Sequence, residues 1–186
     1  MCSSDLNTVT RIRITLAAIG LCLAAGWAPA EPVKKTILDY YRELPADVFQ
    51  CEADTAPDPA ARERLIVHRN IPHGYIRAMV EGFPLEVVLF REWGTARDII
   101  AVSLECGDGC MCRRLDFLVR DADGWRSVRA DVFPAAEAIE AALGRDAGYA
   151  FELPETGTTV RVVDTESRAQ LLTLPWDGRR IHISKQ

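Results

Sequence analysis

The sequence predicts an α+β fold dominated by antiparallel β-sheet, a meander that closes into a half-open barrel or folds as two packed sheets. Three observations predict it. From Leu65 onward apolar residues recur with a period of two in short runs bounded by Gly, Pro, Asn or Asp. The gaps between runs are too short for crossover helices, so neighbouring strands must pair antiparallel. Only two stretches carry helical spacing, an N-terminal helix and one mid-chain helix.

The first helical stretch places Val33, Ile37, Tyr40, Tyr41 and Leu44 on one face and closes at Pro45, as an amphipathic helix laid on a sheet would. Residues 50 to 62 are rich in Asp, Ala and Pro and read as a loop carrying Cys51, with a turn of helix near Ala60 to Arg64. The predicted strands are Leu65 to Arg69, Tyr75 to Val80, Leu85 to Arg91, Asp98 to Leu104, Leu115 to Arg120 and Trp125 to Ala130. Alternation puts Ile100, Val102 and Leu104 on one face of their strand, and Leu115, Phe117 and Val119 on one face of the next. Phe133-Pro134 ends the meander and opens the second helix, with Ala135, Ile139, Ala142 and Leu143 as its buried stripe and Gly144 as its stop. Four more strands follow: Tyr149 to Leu153, Thr159 to Val163, Ala169 to Leu174 and Arg180 to Ile183, the last two joined by the Asp177-Gly178 turn. Asp123-Gly124-Trp125 and Trp176-Asp177-Gly178 hint at an internal repeat, but in reversed order.

Ahead of this lies an export signal. Arg11 and Arg13, the apolar run Ile14 to Ala25 and Ala28-Pro29-Ala30 supply the basic, apolar and small-residue parts that translocation and signal peptidase require. Residues 1 to 30 are therefore expected to be removed, leaving a single β-rich domain over 31 to 186 and no integral membrane span. The alternative is an uncleaved anchor, for which the run is short against the roughly 20 apolar residues a spanning helix needs. Leu21 is too bulky for the position before a lipidated Cys22. Met1 to Leu6, MCSSDL, resembles a translated sequencing adapter, so residues 1 to 6, Cys2 included, are suspected to be an artefact.

Composition narrows the function classes. The 186 residues are 48% hydrophobic and 26% charged, enough for one domain with a substantial core. Without residues 1 to 30, which hold Asp5, Arg11 and Arg13, 20 of 22 basic and 26 of 27 acidic side chains remain, a formal charge of −6. General nucleic-acid binding needs a basic footprint and is excluded on that balance.

The thiols are the chemical signal of the sequence. Cys106-Gly-Asp-Gly-Cys110-Met-Cys112 forms a loop between the two central strands, and Cys51 lies far upstream. Four cysteines in an exported chain read as two disulfides. Direct pairing of Cys110 with Cys112 closes a strained ring. Two connectivities remain open: Cys106 with Cys112 and Cys51 with Cys110, or Cys106 with Cys110 and Cys51 with Cys112. The competing reading is a soft-metal site for copper or zinc on Cys106, Cys110 and Cys112, near Met111. Against it, no second Cys-x-x-Cys pair and no histidine at ligand spacing accompany the loop. A redox dithiol lacks its usual Cys-x-x-Cys at a helix start.

Other candidates have plainer readings. Asp121-Ala-Asp123-Gly124 starts like a calcium loop but lacks the later carboxylates, and reads as a hairpin turn. His68 and His73 flank Arg69-Asn-Ile-Pro72 and read as a strand and a turn histidine. Trp93, Trp125 and Trp176, all near turns, are placed to cap a sheet or to stack on a ligand such as a glycan. There is no Gly-rich phosphate loop, no G-x-S-x-G and no H-E-x-x-H, so no catalytic residue and no cofactor is assigned.

The helix ending at Leu44-Pro45, the cysteine-bearing central hairpin and the tail Phe151-Glu-Leu-Pro154, Thr156-Gly157-Thr158 and Leu174-Pro-Trp176-Asp-Gly178 together resemble small exported bacterial β-rich domains of unknown function. The resemblance covers most of the mature chain and implies a compartment and a β-rich fold, with no activity. The expectation is a periplasmic or secreted, disulfide-stabilised, noncatalytic binding or structural module of the cell envelope, its partner an envelope protein or a glycan. The alternative from another class is an enzyme, hydrolytic or thiol-based, or a metal-binding protein, built on the CGDGCMC loop.

Overall fold

Six strands running from Ile66 to Ser127 pair in sequence order into one antiparallel sheet: β1 (Ile66–Asn70), β2 (Tyr75–Val80), β3 (Phe83–Arg91), β4 (Asp98–Glu105), β5 (Arg113–Asp121) and β6 (Gly124–Ser127). The computed structural model describes residues 34–50, 56–95, 97–105, 113–144 and 148–184. The sheet is the expected meander. The two-residue turn between β2 and β3 has Glu81 and Gly82 at φ 53° and 89°, the doubly left-handed form whose twist matches the flanking strands.

Both faces of this sheet are buried, because β4 is apolar on each. Ile100 pairs with Leu118 and Ala101 with Phe117, so the two sets expected to share a face each do so, on opposite sides of the sheet. Ile76, Ala78, Leu85, Val87, Ile100, Val102 and Leu104 meet the N-terminal segment. Val88, Phe90, Ile99, Ala101, Leu115, Phe117 and Val119 meet a second sheet. Burying one such side chain stabilises the fold by roughly 1.5 to 3 kcal/mol.

The N-terminal cover is α1 (Ile37–Glu43), begun by a capping box in which Thr36 and Asp39 bond each other's backbone N–H, and ended before Pro45. It buries Ile37, Tyr41 and Leu44, and a following 3-10 turn (Ala46–Phe49) adds Val48 and Phe49. Arg62, at the end of the short α2 (Pro59–Arg62), locks this layer. Its guanidinium sits 4.4 Å from the Phe49 ring centre and donates to the Leu44 carbonyl at 2.6 Å, while its own carbonyl accepts from Tyr41. Guanidinium burial of this kind is tolerated only with such partners.

The second sheet is antiparallel β7 (Tyr149–Glu152), β8 (Thr159–Asp164) and β9 (Gln170–Pro175). Phe151, Leu153, Val160, Val162, Leu174 and Trp176 pack towards the large sheet. An aromatic row, Trp176, Phe90, Phe117, Phe133 and Phe151, runs between them with neighbouring ring centres 5.2 to 6.3 Å apart. The fold is thus α+β and mainly antiparallel, in the two-packed-sheets form. Lys35 to Gln186 group as one unit.

Three expectations are corrected. The sixth strand stops at Ser127, because the Ser127 hydroxyl binds Asp116 and accepts from the Arg129 N–H, turning the chain into α3 (Arg129–Val132). In α4 (Ala136–Leu143) only Ile139 is buried and Leu143 half-buried, whereas Ala135 and Ala142 are exposed; Gly144 ends the helix at φ 65° as expected. Arg180 to Ile183 does not continue the sheet. Pro175 has no N–H to give, and Ile181 donates to Val132 instead, leaving two isolated bridges. Among the described residues, no helix is long and apolar enough to cross a membrane.

Candidate functional site

The β3–β4 turn projects Trp93, and its neighbours explain why it stands where it does. Glu92 accepts from Thr95 at 2.9 Å and from Arg97 at 2.8 Å, tying the turn to itself. The Trp93 N–H donates to the Gly178 carbonyl at 2.7 Å. Gly178 lies beneath the side chain at φ 97°, and a Cβ there would stand 3.0 Å from Trp93 Cβ and 3.3 Å from Cγ, so both backbone and packing call for glycine. Asp177 fixes the turn that offers Gly178. Its Oδ1 accepts from the N–H groups of Arg179 and Arg180 at 2.7 and 2.8 Å, and Oδ2 meets His182 at 2.7 Å. Those backbone bonds, the one from Arg180 first and then the His182 contact, pull its pKa down to about 2.

Trp93 is 80% exposed. It forms one wall of a cleft of about 460 Å³ whose other walls are the 3-10 turn Ile71–His73, the Leu89 to Arg91 end of β3, and the pair Gly157-Thr158. Trp176 lies at its base, buried against Phe90. Apolar faces from Ile71, Pro72 and the indole alternate with polar groups from His73, Arg91, Thr158 and Asp177, a combination typical of small-molecule sites.

A second cleft, of about 590 Å³, opens on the far side of the 154–158 loop and is lined by charge. At its floor Glu86 accepts from the Tyr75 hydroxyl and the Leu153 N–H, both at 2.8 Å. Burial outweighs these two bonds and raises its pKa from the ordinary glutamate value, and the Tyr75 hydroxyl is pushed up with it, by burial first and then by the Glu86 charge. Glu152 pairs with Arg161 and Arg168, each at 2.7 Å, and Arg168 also reaches Glu105. The loop between the clefts is pinned by Glu155, which holds His68 at 2.9 Å and Asn70 at 3.4 Å.

The residues singled out in the sequence separate under the structure. Cys51, Cys106, Cys110 and Cys112 all lie outside the described residues, and with them the disulfide and metal readings. His68 is the expected strand histidine and His73 the expected turn histidine, bonded to Asn70 at 2.9 Å. Trp125 caps the fold, edge-on to Tyr40 with its indole N–H on the Glu43 carbonyl at 2.7 Å. Asp121 to Gly124 is the β5–β6 hairpin, and among the described residues no three His, Cys, Asp or Glu side chains gather as metal ligands. Sequence reasoning missed Glu86 and Tyr75. Glutamate at an otherwise apolar strand position, Leu85-Glu-Val87-Val88, was the available signal. No protein family, curated protein or solved structure matches the chain.

Proposed function

We propose that the protein is an exported, disulfide-stabilised, noncatalytic binding module of the bacterial cell envelope, and that its ligand is a glycan held at the Trp93 cleft. The observation that carries this reading is an indole left in water yet fixed in place. Leaving so large an apolar side chain exposed forgoes stabilisation on the order of 3 kcal/mol. Meanwhile a backbone hydrogen bond and a left-handed glycine hold its position. Rigid aromatic platforms of this kind suit the flat C–H face of a pyranose ring, and His73, Thr158 and Asp177 stand around it for hydroxyl groups. Asp177, the carboxylate lining this cleft, is committed to its own turn and to His182, which favours binding over catalysis.

The test uses protein recovered from the periplasm of a bacterial host. Binding to insoluble envelope glycan and to soluble oligosaccharides is measured by co-sedimentation and by tryptophan fluorescence, for the parent and for Trp93→Ala. The expected result is binding by the parent and a loss of at least about tenfold in Trp93→Ala at unchanged melting temperature, since each 1.4 kcal/mol is tenfold in affinity. Equal binding by the two proteins refutes the assignment.

A further inference from the structure

The charged groups around Trp93 do not cancel. Arg91 lines the cleft wall, Arg97 belongs to the same turn as Trp93, and Arg179 and Arg180 follow Gly178 in the turn beneath it. Three carboxylates face them, and each is already committed. Glu92 is held by Thr95 and Arg97. Asp98 accepts from the Tyr40 hydroxyl at 3.0 Å and lies 3.6 Å from Arg91. Asp177 binds its turn and His182.

Arg179 and Arg180 are left over. Both are exposed, and among the described residues neither side chain has a hydrogen-bond or ion-pair partner. Arg179 follows Gly178, whose carbonyl accepts from the Trp93 N–H, and its charge favours the ionised form of Glu92, the residue preceding Trp93. In a chain of formal charge −5, two consecutive exposed arginines directly after the glycine that bonds the Trp93 backbone are a local concentration of positive charge.

Building on the glycan reading, we infer that the ligand is an acidic polysaccharide, its sugar ring stacked on Trp93 and its carboxylates held by Arg179 and Arg180. A guanidinium presents a planar fork of N–H donors that matches a carboxylate in two parallel bonds, which a neutral sugar cannot use. The net negative charge of the chain then aids selectivity, because it disfavours non-specific association with a polyanion.

The experiment titrates oligogalacturonate, and the same oligomer with its carboxyl groups reduced to alcohols, into the parent, Trp93→Ala, and an Arg179→Gln, Arg180→Gln double variant. The parent is expected to bind the uronate about tenfold more tightly than the reduced form at low salt, with the difference shrinking as salt rises. The double arginine variant should bind both forms equally, at the parent's affinity for the reduced one, and Trp93→Ala should lose both. Equal affinity of the parent for the two oligomers overturns the acidic-ligand inference and leaves the Trp93 site standing. Selectivity that survives in the double variant overturns it as well, as does binding confined to a phosphorylated oligosaccharide run alongside. Failure of the parent to bind any of them, or binding undiminished in Trp93→Ala, overturns the underlying glycan site.

Discussion

Replacing Gly178 by alanine tests whether the fold itself positions Trp93. The backbone there has φ 97°, where an L-residue is strained by about 1 to 2 kcal/mol. The new methyl would also stand 3.0 Å from Trp93 Cβ and 3.3 Å from Cγ, a clash costing about another 1 to 3 kcal/mol if nothing moves. Gly82→Ala is the matched control, since Gly82 has a similar φ of 89° with nothing within 4 Å, and it should show the backbone cost alone. At about 2 to 4 °C per kcal/mol for a domain of this size, the control should melt about 2 to 8 °C below the parent and Gly178→Ala about 4 to 20 °C below. Should the indole swing away to relieve the clash, part of the melting difference disappears, but near-ultraviolet circular dichroism changes and glycan affinity falls. Melting curves, aromatic dichroism and a binding titration on both variants decide the matter. Equal melting of the two variants, with parent-like dichroism and affinity in Gly178→Ala, would refute the claim that Gly178 seats Trp93.

Two further outcomes concern pH. Glu86 keeps its proton more tightly in the folded protein than in the unfolded chain, so its contribution to stability declines as pH rises above the ordinary carboxylate range. Glu86→Gln, which can still bond Tyr75 and Leu153, should flatten the melting temperature between pH 4.5 and 7 and match or exceed the parent at pH 7; a clear loss of stability there would show that its two hydrogen bonds outweigh desolvation. Asp177 is the opposite case: its depressed pKa of about 2 means that its stabilisation is complete above the ordinary aspartate value and is lost as pH falls through about 2. Glycan affinity should therefore decline between pH 4 and 2 in the parent and change far less in Asp177→Asn, and an identical acid response in the two proteins would remove Asp177 from the site.

The strands were legible because each local rule agreed with the next. Tyr75 to Val80 alternates, is bounded by Gly74 and Gly82, and forms as read. Failures occurred where a backbone group found a better partner than the sheet. Ser127 drew the Arg129 N–H away from the strand, and Val132 took the Ile181 N–H, and neither exchange leaves a mark on periodicity. The sites were less legible for the same reason. Trp93 was noticed among three turn tryptophans, yet nothing local separates it from Trp125, which caps α1 and is covered by Tyr40. What separates them is Gly178, 85 positions from Trp93 in sequence and joined to it only by the fold. Arg62 falls in the turn of helix expected near Ala60 to Arg64, which forms as α2, but its burial follows from carbonyls at the end of α1 that periodicity does not reveal.

The position of both clefts follows from a mismatch between layers. Six strands form the large sheet and three cover one of its faces, so the cover must end partway across. Apolar contact runs through β3, β4 and β5, where Phe90, Ala101 and Phe117 meet Phe151, Val160 and Trp176. Towards β2 the same face turns polar, with Tyr75, Arg77 and Glu86 in register on neighbouring strands. An apolar face left uncovered there would invite aggregation, and an unsupported buried carboxylate would be costly; the 154–158 loop meets both demands by supplying Pro154 and, just before it, the Leu153 N–H. That loop has to be anchored at the sheet margin, and Glu155 does so through His68 and Asn70 on β1. With the loop held, one cleft forms on each side of it, charged towards Glu86 and aromatic towards Trp93. A loop displacement that opens one must therefore disturb the other, so His68→Ala, which removes the shorter of the two bonds to Glu155, should alter ligand affinity at Trp93 without touching its wall.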